Sequence, residues 1–168
     1  MFEKNQYVYH ETGGICKIDD VRYAPLEGMP NDRLYYVLSP LQDRNSTIYV
    51  PVDASGVFLR ALMERAEAEA LMRSVSSIEP IDEPNAKLLR LKYIEAMRTH
   101  QPAEWVRVLK TVYGREQAKI GRARLSESER GFAENAKRNL ATELGMVLGL
   151  DARAAECAVL DSIRVTEI

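Results

Sequence analysis

Residues 6–23, QYVYHETGGICKIDDVRY, decide the fold of the first third of this chain. Tyr, Val and Ile dominate two runs on either side of a Thr-Gly-Gly turn, and this composition is typical of two strands joined by a tight turn. Similar runs follow at residues 33–41 and 46–52, with turn residues between them. We therefore expect four short strands in a small curled antiparallel sheet, a barrel or half-barrel, to which residues 57–61 can add a fifth.

The rest of the chain has the period of helices. Apolar residues recur at helical spacing, and prolines within residues 76–84 end the first helix. The predicted helices are residues 63–75, 85–100, Pro102 to about Gly121, Ser126 to just before Gly149, and a short one that Asp151 caps. The expected fold class is α+β, with a small antiparallel β barrel in residues 1–57 and an α-helical bundle domain in residues 58–168; the family resemblance described below implies that the barrel is Tudor/SH3-like.

Positive charge is concentrated in one segment. Residues 85–124 hold ten Lys/Arg and three Asp/Glu, whereas the flanking segments are acidic and the whole chain has a formal net charge of -2. A basic patch on a weakly acidic protein favours a phosphate-rich partner that binds one defined surface, although a solvated helix face would give the same charge pattern.

Helical geometry places these positive side chains on particular sides of the predicted helices. At about 100° per residue, the cations of the second predicted helix cluster on one side, and those of the third point away from its apolar face. Trp105 lies on that apolar face, which favours a core position over a base-stacking role. The candidate DNA phosphate contacts are Lys87, Arg90, Arg98, Arg107, Lys110, Arg115, Lys119, Arg122 and Arg124.

The sequence offers little for catalysis. Its two histidines lie on unrelated elements, and it has no Gly-rich phosphate loop, nucleophile elbow or repeated His/Cys spacing for a metal. We therefore expect no enzyme activity, cofactor or metal. Cys16 and Cys157 are read as small buried apolar residues of a reduced protein. No apolar run reaches the length of a membrane span, and residues 1–10 lack the pattern of a signal peptide, so we expect a cytoplasmic protein.

The order of these elements resembles the CarD/CdnL/TRCF family. The first half resembles its N-terminal module in the runs Tyr7-Val8-Tyr9, Gly14-Ile15-Cys16-Lys17-Ile18, Tyr35-Tyr36-Val37-Leu38 and Ile48-Tyr49-Val50-Pro51-Val52. The second half is similar to the helical domain of CarD/CdnL in residues 105–115, Leu125-Ser126 with Glu129, and Leu140 with Glu143-Leu144. The likeness lies in order and spacing more than in any single motif.

The resemblance implies a bacterial transcription regulator. Its Tudor-like β module would bind the β subunit of RNA polymerase edge to edge, and its helical domain would contact promoter DNA. The polymerase-binding residues implied by the match are Thr47, Ile48, Tyr49, Val50 and Pro51. Two positions depart from the family: Ala86 stands where a tryptophan wedges against DNA, and Tyr49 stands where a basic residue contacts the polymerase.

Two other classes of function remain open on the sequence alone. The chain could be an adaptor whose basic helices bind an acidic protein, in which case it would show little preference for nucleic acid. It could also be a scaffold that associates with its own copies through the edge strand.

Overall fold

The computed structural model describes residues 1–24, 26–118 and 125–164. The chain divides into two compact units, Met1–Leu62 and Met63–Ile168. The first is built from strands and the second from helices, which agrees with the expected mixed α and β architecture.

The first unit is one antiparallel sheet. Its strands are β1 (Tyr7–His10), β2 (Gly14–Tyr23), β3 (Leu34–Pro40), β4 (Ile48–Pro51) and β5 (Leu59–Ala61). The strand order is β4-β3-β2-β1-β5, and all neighbours pair antiparallel. Pairing of β2 with β3 shifts between Ile18 and Asp20, an irregularity of the kind that bends a strand. The result is a curled half-barrel with β4 and β5 at its two edges.

The concave side of this sheet carries a small apolar core. Val8, Cys16, Ile18 and Leu38 are fully buried, and Val50 of β4 completes the cluster. Burial raises the pKa of the Cys16 thiol to about 11, as expected for a thiol that serves as a packing group.

The turn between β1 and β2 needs both of its glycines. A Cβ on Gly13 would lie 2.7 Å from Ile48 Cδ1 and 2.9 Å from Cys16 Sγ. Gly14 has φ +63°, a conformation that favours glycine. The tight-turn interpretation of this glycine pair is thus the one that the backbone supports.

The boundary between the units lies later than residue 57. Residues Leu59–Ala61 form β5 and pair with β1, so they belong to the sheet, and the division falls after Leu62. The turn residues at 53–56 predict a domain boundary close to residue 57. In the structure that turn joins two strands of the same sheet.

The second unit contains five described helices and one short 3₁₀ turn. They are α1 (Arg65–Ser74), the turn Val75–Ser77, α2 (Ala86–Arg98), α3 (Pro102–Ala118), α4 (Glu127–Leu148) and α5 (Ala152–Arg164). The predicted end of the third helix near Gly121 lies outside the described residues.

Local chemistry explains where α2, α4 and α5 begin. The Asn85 side chain accepts hydrogen bonds from the N–H groups of Lys87 and Leu88. Ser126 and Glu129 form the predicted capping box at the start of α4, and the Asp151 carboxylate accepts from the Ala154 N–H at 2.8 Å. Each cap satisfies amides that the first helical turn leaves without partners.

Helix α4 packs against the other four helices of this unit. Trp105 of α3 has 0% exposure and lies in the core, as its place on the apolar face predicts. Tyr93, Leu109 and Leu140 are also almost completely buried. The side chain of Glu143 is buried as well and accepts from the Met63 N–H at 2.9 Å, which fixes the start of the unit to α4.

Candidate functional site

Strand β4 has one unpaired edge. The Val52 N–H donates to the Leu34 carbonyl at 2.8 Å, and Tyr36 is the register partner of Val50. Because hydrogen-bonded and non-hydrogen-bonded pairs alternate along an antiparallel ladder, Val50 and Ile48 direct their backbone groups toward β3. The N–H and C=O of Tyr49 therefore point away from the sheet.

The donors on this β4 edge are few. Thr47 lies just before the strand and is exposed, and by the same alternation its backbone also faces outward. Pro51 has a carbonyl on that side but no N–H. A partner strand would thus meet two outward backbone N–H donors, those of Thr47 and Tyr49, because Pro51 has no N–H.

The side chains of the predicted polymerase-binding residues divide by face. Val50 is buried in the sheet core, and Ile48 packs against that core. Tyr49 and Pro51 are half-buried and, by strand alternation, lie on the opposite face. Val50 and Ile48 hold the edge in place, whereas Thr47, Tyr49 and Pro51 present groups that another chain could contact.

The opposite edge of the sheet, β5, is shorter and partly covered. The Glu11 N–H donates to the Phe58 carbonyl, so the alternation directs the backbone groups of Ala61 outward. The Arg60 guanidinium donates to the Ala61 carbonyl at 3.0 Å and lies 4.7 Å from the centre of the Tyr9 ring. A charged side chain over an edge carbonyl is a common protection against unwanted strand pairing.

The predicted cations of α2 form one accessible face. Lys87, Arg90 and Arg98 are exposed, and none has a hydrogen bond or ion pair with another described residue. On a helical projection the three directions span about 80°. They can therefore contact one partner surface together.

The predicted cations of α3 are engaged within their own unit. Lys110 Nζ donates to the carbonyl oxygens of Val75 at 2.8 Å, Ser76 at 3.2 Å and Ile78 at 2.7 Å. These carbonyls follow the end of α1, where a positive charge is favourable. This geometry gives Lys110 a structural role, and we leave it out of the proposed DNA surface.

Arg107 and Arg115 also have acidic partners. Arg107 Nη1 lies 3.0 Å and 3.2 Å from the two carboxylate oxygens of Glu104, and its Nε donates to the Glu79 carbonyl. Arg115 Nε donates to Glu129 Oε1 at 2.8 Å. Both arginines are half-buried, so they could contact a ligand only while they remain bonded to these partners. Lys119, Arg122 and Arg124 lie outside the described residues.

The partner of Arg115 has a perturbed acidity. Burial alone would raise the pKa of Glu129, but hydrogen bonds from the Ser126 backbone, Arg115 and the Ser126 hydroxyl outweigh burial. The net pKa of Glu129 is lowered. The charged carboxylate thus holds the first turn of α4 and the Arg115 side chain at neutral pH.

Sequence reasoning missed the role of Lys110 because its acceptors lie more than thirty residues earlier in the chain. Helical spacing places Lys110 away from the apolar face of α3. It cannot show which other segment of the chain lies against the side of the helix that carries Lys110. Pro80 and Pro84 were the available signal, since a helix does not continue through them and the carbonyls before them are left without helical partners.

Two kinds of feature are absent from the described residues. No group of three or more His, Cys, Asp or Glu side chains in residues 1–24, 26–118 and 125–164 is arranged to hold a metal ion. None of the helices in this part of the chain is long and apolar enough to cross a membrane.

Comparison with known proteins gives one family match. Residues 2–63 match the family model described as CarD-like/TRCF RID domain. This range coincides with the sheet unit, including β4 and β5. A search of curated proteins found no match to the chain. The sheet unit is thus similar to the CarD-like/TRCF RID domain.

Proposed function

We propose that this protein is a transcription regulator that binds the β subunit of RNA polymerase through the β4 edge. The observation that carries this proposal is the RID-domain match over residues 2–63, combined with an edge strand that has outward-facing backbone groups. Strand addition to an exposed edge is a general mode of protein recognition.

The edge chemistry fits a short partner strand. Main-chain hydrogen bonds at Thr47 and Tyr49 would supply affinity, and the Tyr49 ring and Pro51 would pack beside the partner. Tyr49 replaces the basic residue found in the family, so the contact would depend on aromatic packing instead of an ion pair. Tyr residues are common in the buried centres of interfaces.

We further propose that promoter DNA is contacted by the accessible face of α2. Lys87, Arg90 and Arg98 have no competing acidic partners within the described residues, so their charges are available to phosphates. Phosphate contacts position a protein on DNA without reading base sequence. The second unit acts here as a helical bundle that presents one basic face, and no catalytic step or cofactor is assigned to it.

The experiment that tests polymerase docking is a pull-down with the isolated β subunit lobe. Tyr49→Pro removes one outward donor together with the ring, whereas Tyr49→Ala removes only the ring. We expect binding to decrease in the order wild type, Tyr49→Ala, Tyr49→Pro. Ile48→Pro is unsuitable, because the Ile48 N–H faces β3 and its loss would disrupt the sheet itself.

Ala61→Pro is the matched control for this experiment. It also removes an outward N–H from an edge strand, but from β5. Binding that survives Ala61→Pro and is lost with Tyr49→Pro would assign docking to β4. Unchanged binding by the folded Tyr49→Pro variant would contradict the assignment, and folding is checked by amide dispersion in an NMR spectrum.

The adaptor and scaffold alternatives give different results. A scaffold that pairs β4 with a second copy would show a molecular mass that rises with concentration in light scattering, and Tyr49→Pro would abolish the rise. An adaptor would bind an acidic protein as tightly as duplex DNA of similar charge, because α2 would then recognise charge alone.

A further inference from the structure

A cavity of about 270 Å³ lies between the first turns of α2 and α4. We propose that it binds a phosphoryl group. Side chains from three helices line it, and those used in the argument are Ala86, Arg90, Tyr93, Arg115, Ser128 and Glu129. The site lies entirely within the helical unit and does not depend on polymerase docking.

Two helix N-termini meet at this cavity. Ala86 is the first residue of α2, and Ser128 lies in the first turn of α4. Amides in a first turn lack intrahelical acceptors, and each N-terminus carries roughly half a positive charge. The Asn85 and Ser126 side chains already accept from the amides of Lys87, Leu88 and Glu129. The first-turn amides left for an anion among the described residues are therefore those of Ala86, Glu127 and Ser128.

The charged side chains add to this preference. Arg90 is exposed and has no partner among the described residues, whereas Arg115 is fixed by Glu129. The lining thus contains two guanidinium groups and one carboxylate. Glu129 uses its oxygens on Arg115 and Ser126, which leaves the Arg90 guanidinium and the Ser128 hydroxyl for a ligand.

The independent observation is the Tyr93 hydroxyl. Tyr93 is 1% exposed and lines the cavity, and its hydroxyl has no hydrogen-bond partner in the part of the chain that the structure describes. Burial raises the pKa of Tyr93 to about 12, with smaller opposing effects of Glu129 and Arg115. The hydroxyl therefore stays protonated, and able to donate, at neutral pH.

A buried donor without an acceptor is unfavourable, so Tyr93 indicates that this cavity has an acceptor when it is occupied. A phosphoryl oxygen that contacted the hydroxyl would provide one. The cavity is smaller than the roughly 300–1,000 Å³ of pockets for drug-sized ligands, which favours a single phosphoryl group over a whole nucleotide.

The phosphoryl group has two possible sources, the backbone of duplex DNA and a small phosphomonoester. Both present the same oxygens to the cavity. If DNA is the source, Arg90 links the cavity to the α2 face, and one backbone phosphate would occupy the space between the two helix N-termini.

The test is an NMR titration of the full chain with inorganic phosphate, against chloride at equal ionic strength. We expect saturable shifts of the Ala86, Glu127 and Ser128 amides with phosphate only. Arg90→Ala should weaken phosphate binding by about tenfold, the effect of losing one hydrogen bond to a charged group. Arg153→Ala, an exposed cation on α5, is the matched control and should leave binding unchanged.

A second variant separates binding from structure. Tyr93→Phe should weaken phosphate binding and, without phosphate, raise the melting temperature, because it removes a buried donor that has no acceptor. A variant that merely damaged packing would lower the melting temperature instead.

Competition with a short DNA duplex then distinguishes the sources. If the duplex displaces phosphate from the Ser128 amide, the source is the DNA backbone; if phosphate binds and the duplex does not displace it, the source is a small phosphate ester. The absence of saturable shifts, or equal effects of Arg90→Ala and Arg153→Ala, would overturn the proposal. Neither result bears on the polymerase pull-down, which tests the other unit.

Discussion

Helices α2 and α3 carry similar numbers of positive side chains but use them differently. On α2, Lys87, Arg90 and Arg98 are exposed and have no partner in the described structure. On α3, Lys110 binds three backbone carbonyls, and Arg107 and Arg115 bind carboxylates. A count of basic residues gives the two helices similar weight, whereas the surroundings of each charge separate available cations from engaged ones.

For these two helices, the availability of a charge matters more than its presence. A phosphate that approaches Lys87, Arg90 and Arg98 meets cations that have no partner among the described residues. One that approaches α3 must displace carboxylates already 2.8 to 3.0 Å from their guanidinium groups.

The largest effect is expected for Lys110→Met. The variant keeps the aliphatic stem but removes the donor to Val75, Ser76 and Ile78, and we expect a loss of about 3 kcal/mol in the free energy of unfolding. Urea denaturation would measure it. Lys87→Met is the matched control on α2 and should change the free energy by less than about 0.5 kcal/mol. Equal stability of the two variants would remove the distinction between the helices.

The second experiment reverses three charges on α2. Lys87→Glu, Arg90→Glu and Arg98→Glu together should weaken binding to duplex DNA roughly tenfold or more at low salt. The slope of log affinity against log salt should fall by about three units, one for each lost phosphate contact. Fluorescence anisotropy over a series of salt concentrations measures both quantities.

Reversal of Arg73, Arg138 and Arg153 is the control for that triple variant. These three arginines are also exposed, and they lie on α1, α4 and α5, so the change in net charge is identical. A comparable loss of slope in the control would show that DNA responds to total charge and not to the α2 face.

The smallest effect is expected at the Arg115–Glu129 pair. Because the folded-state pKa of Glu129 is below its ordinary value of 4.5, its contribution to stability is complete above that pH and is lost as the pH falls through the folded pKa. Glu129→Gln should cost about 1 kcal/mol at pH 7, since it also removes the charged half of the capping box. The difference from wild type should shrink below pH 4.5 in thermal melts recorded across pH. A difference that is constant with pH would exclude this role for the carboxylate.

Local patterns predicted much of the fold. Alternation of Tyr, Val and Ile located β1 to β4, and the Ser126 and Glu129 spacing located the start of α4, because each signal acts within a few residues. The place of Trp105 on an apolar face predicted its burial for the same reason. The edge position of β4 followed from the family resemblance.

The candidate site was less predictable from the sequence. Arg60 covering the Ala61 carbonyl, and Lys110 binding residues 75–78, depend on which segments meet in space. Periodicity identifies the face of a helix but not the loop that crosses it. Which β4 residues direct their backbone groups toward β3 depends on the register between the two strands. The sequence of a single strand does not determine that register.

The single tryptophan has a practical consequence for studying the two units. Trp105 is completely buried in the helical unit, and the sheet unit contains no tryptophan. Fluorescence excited at the red edge of the indole band therefore reports only on the helical unit, with an emission maximum that moves to longer wavelength when that unit opens. Circular dichroism reports on both units. Separation of the two melting curves would show directly whether the sheet unit and the helical unit unfold independently.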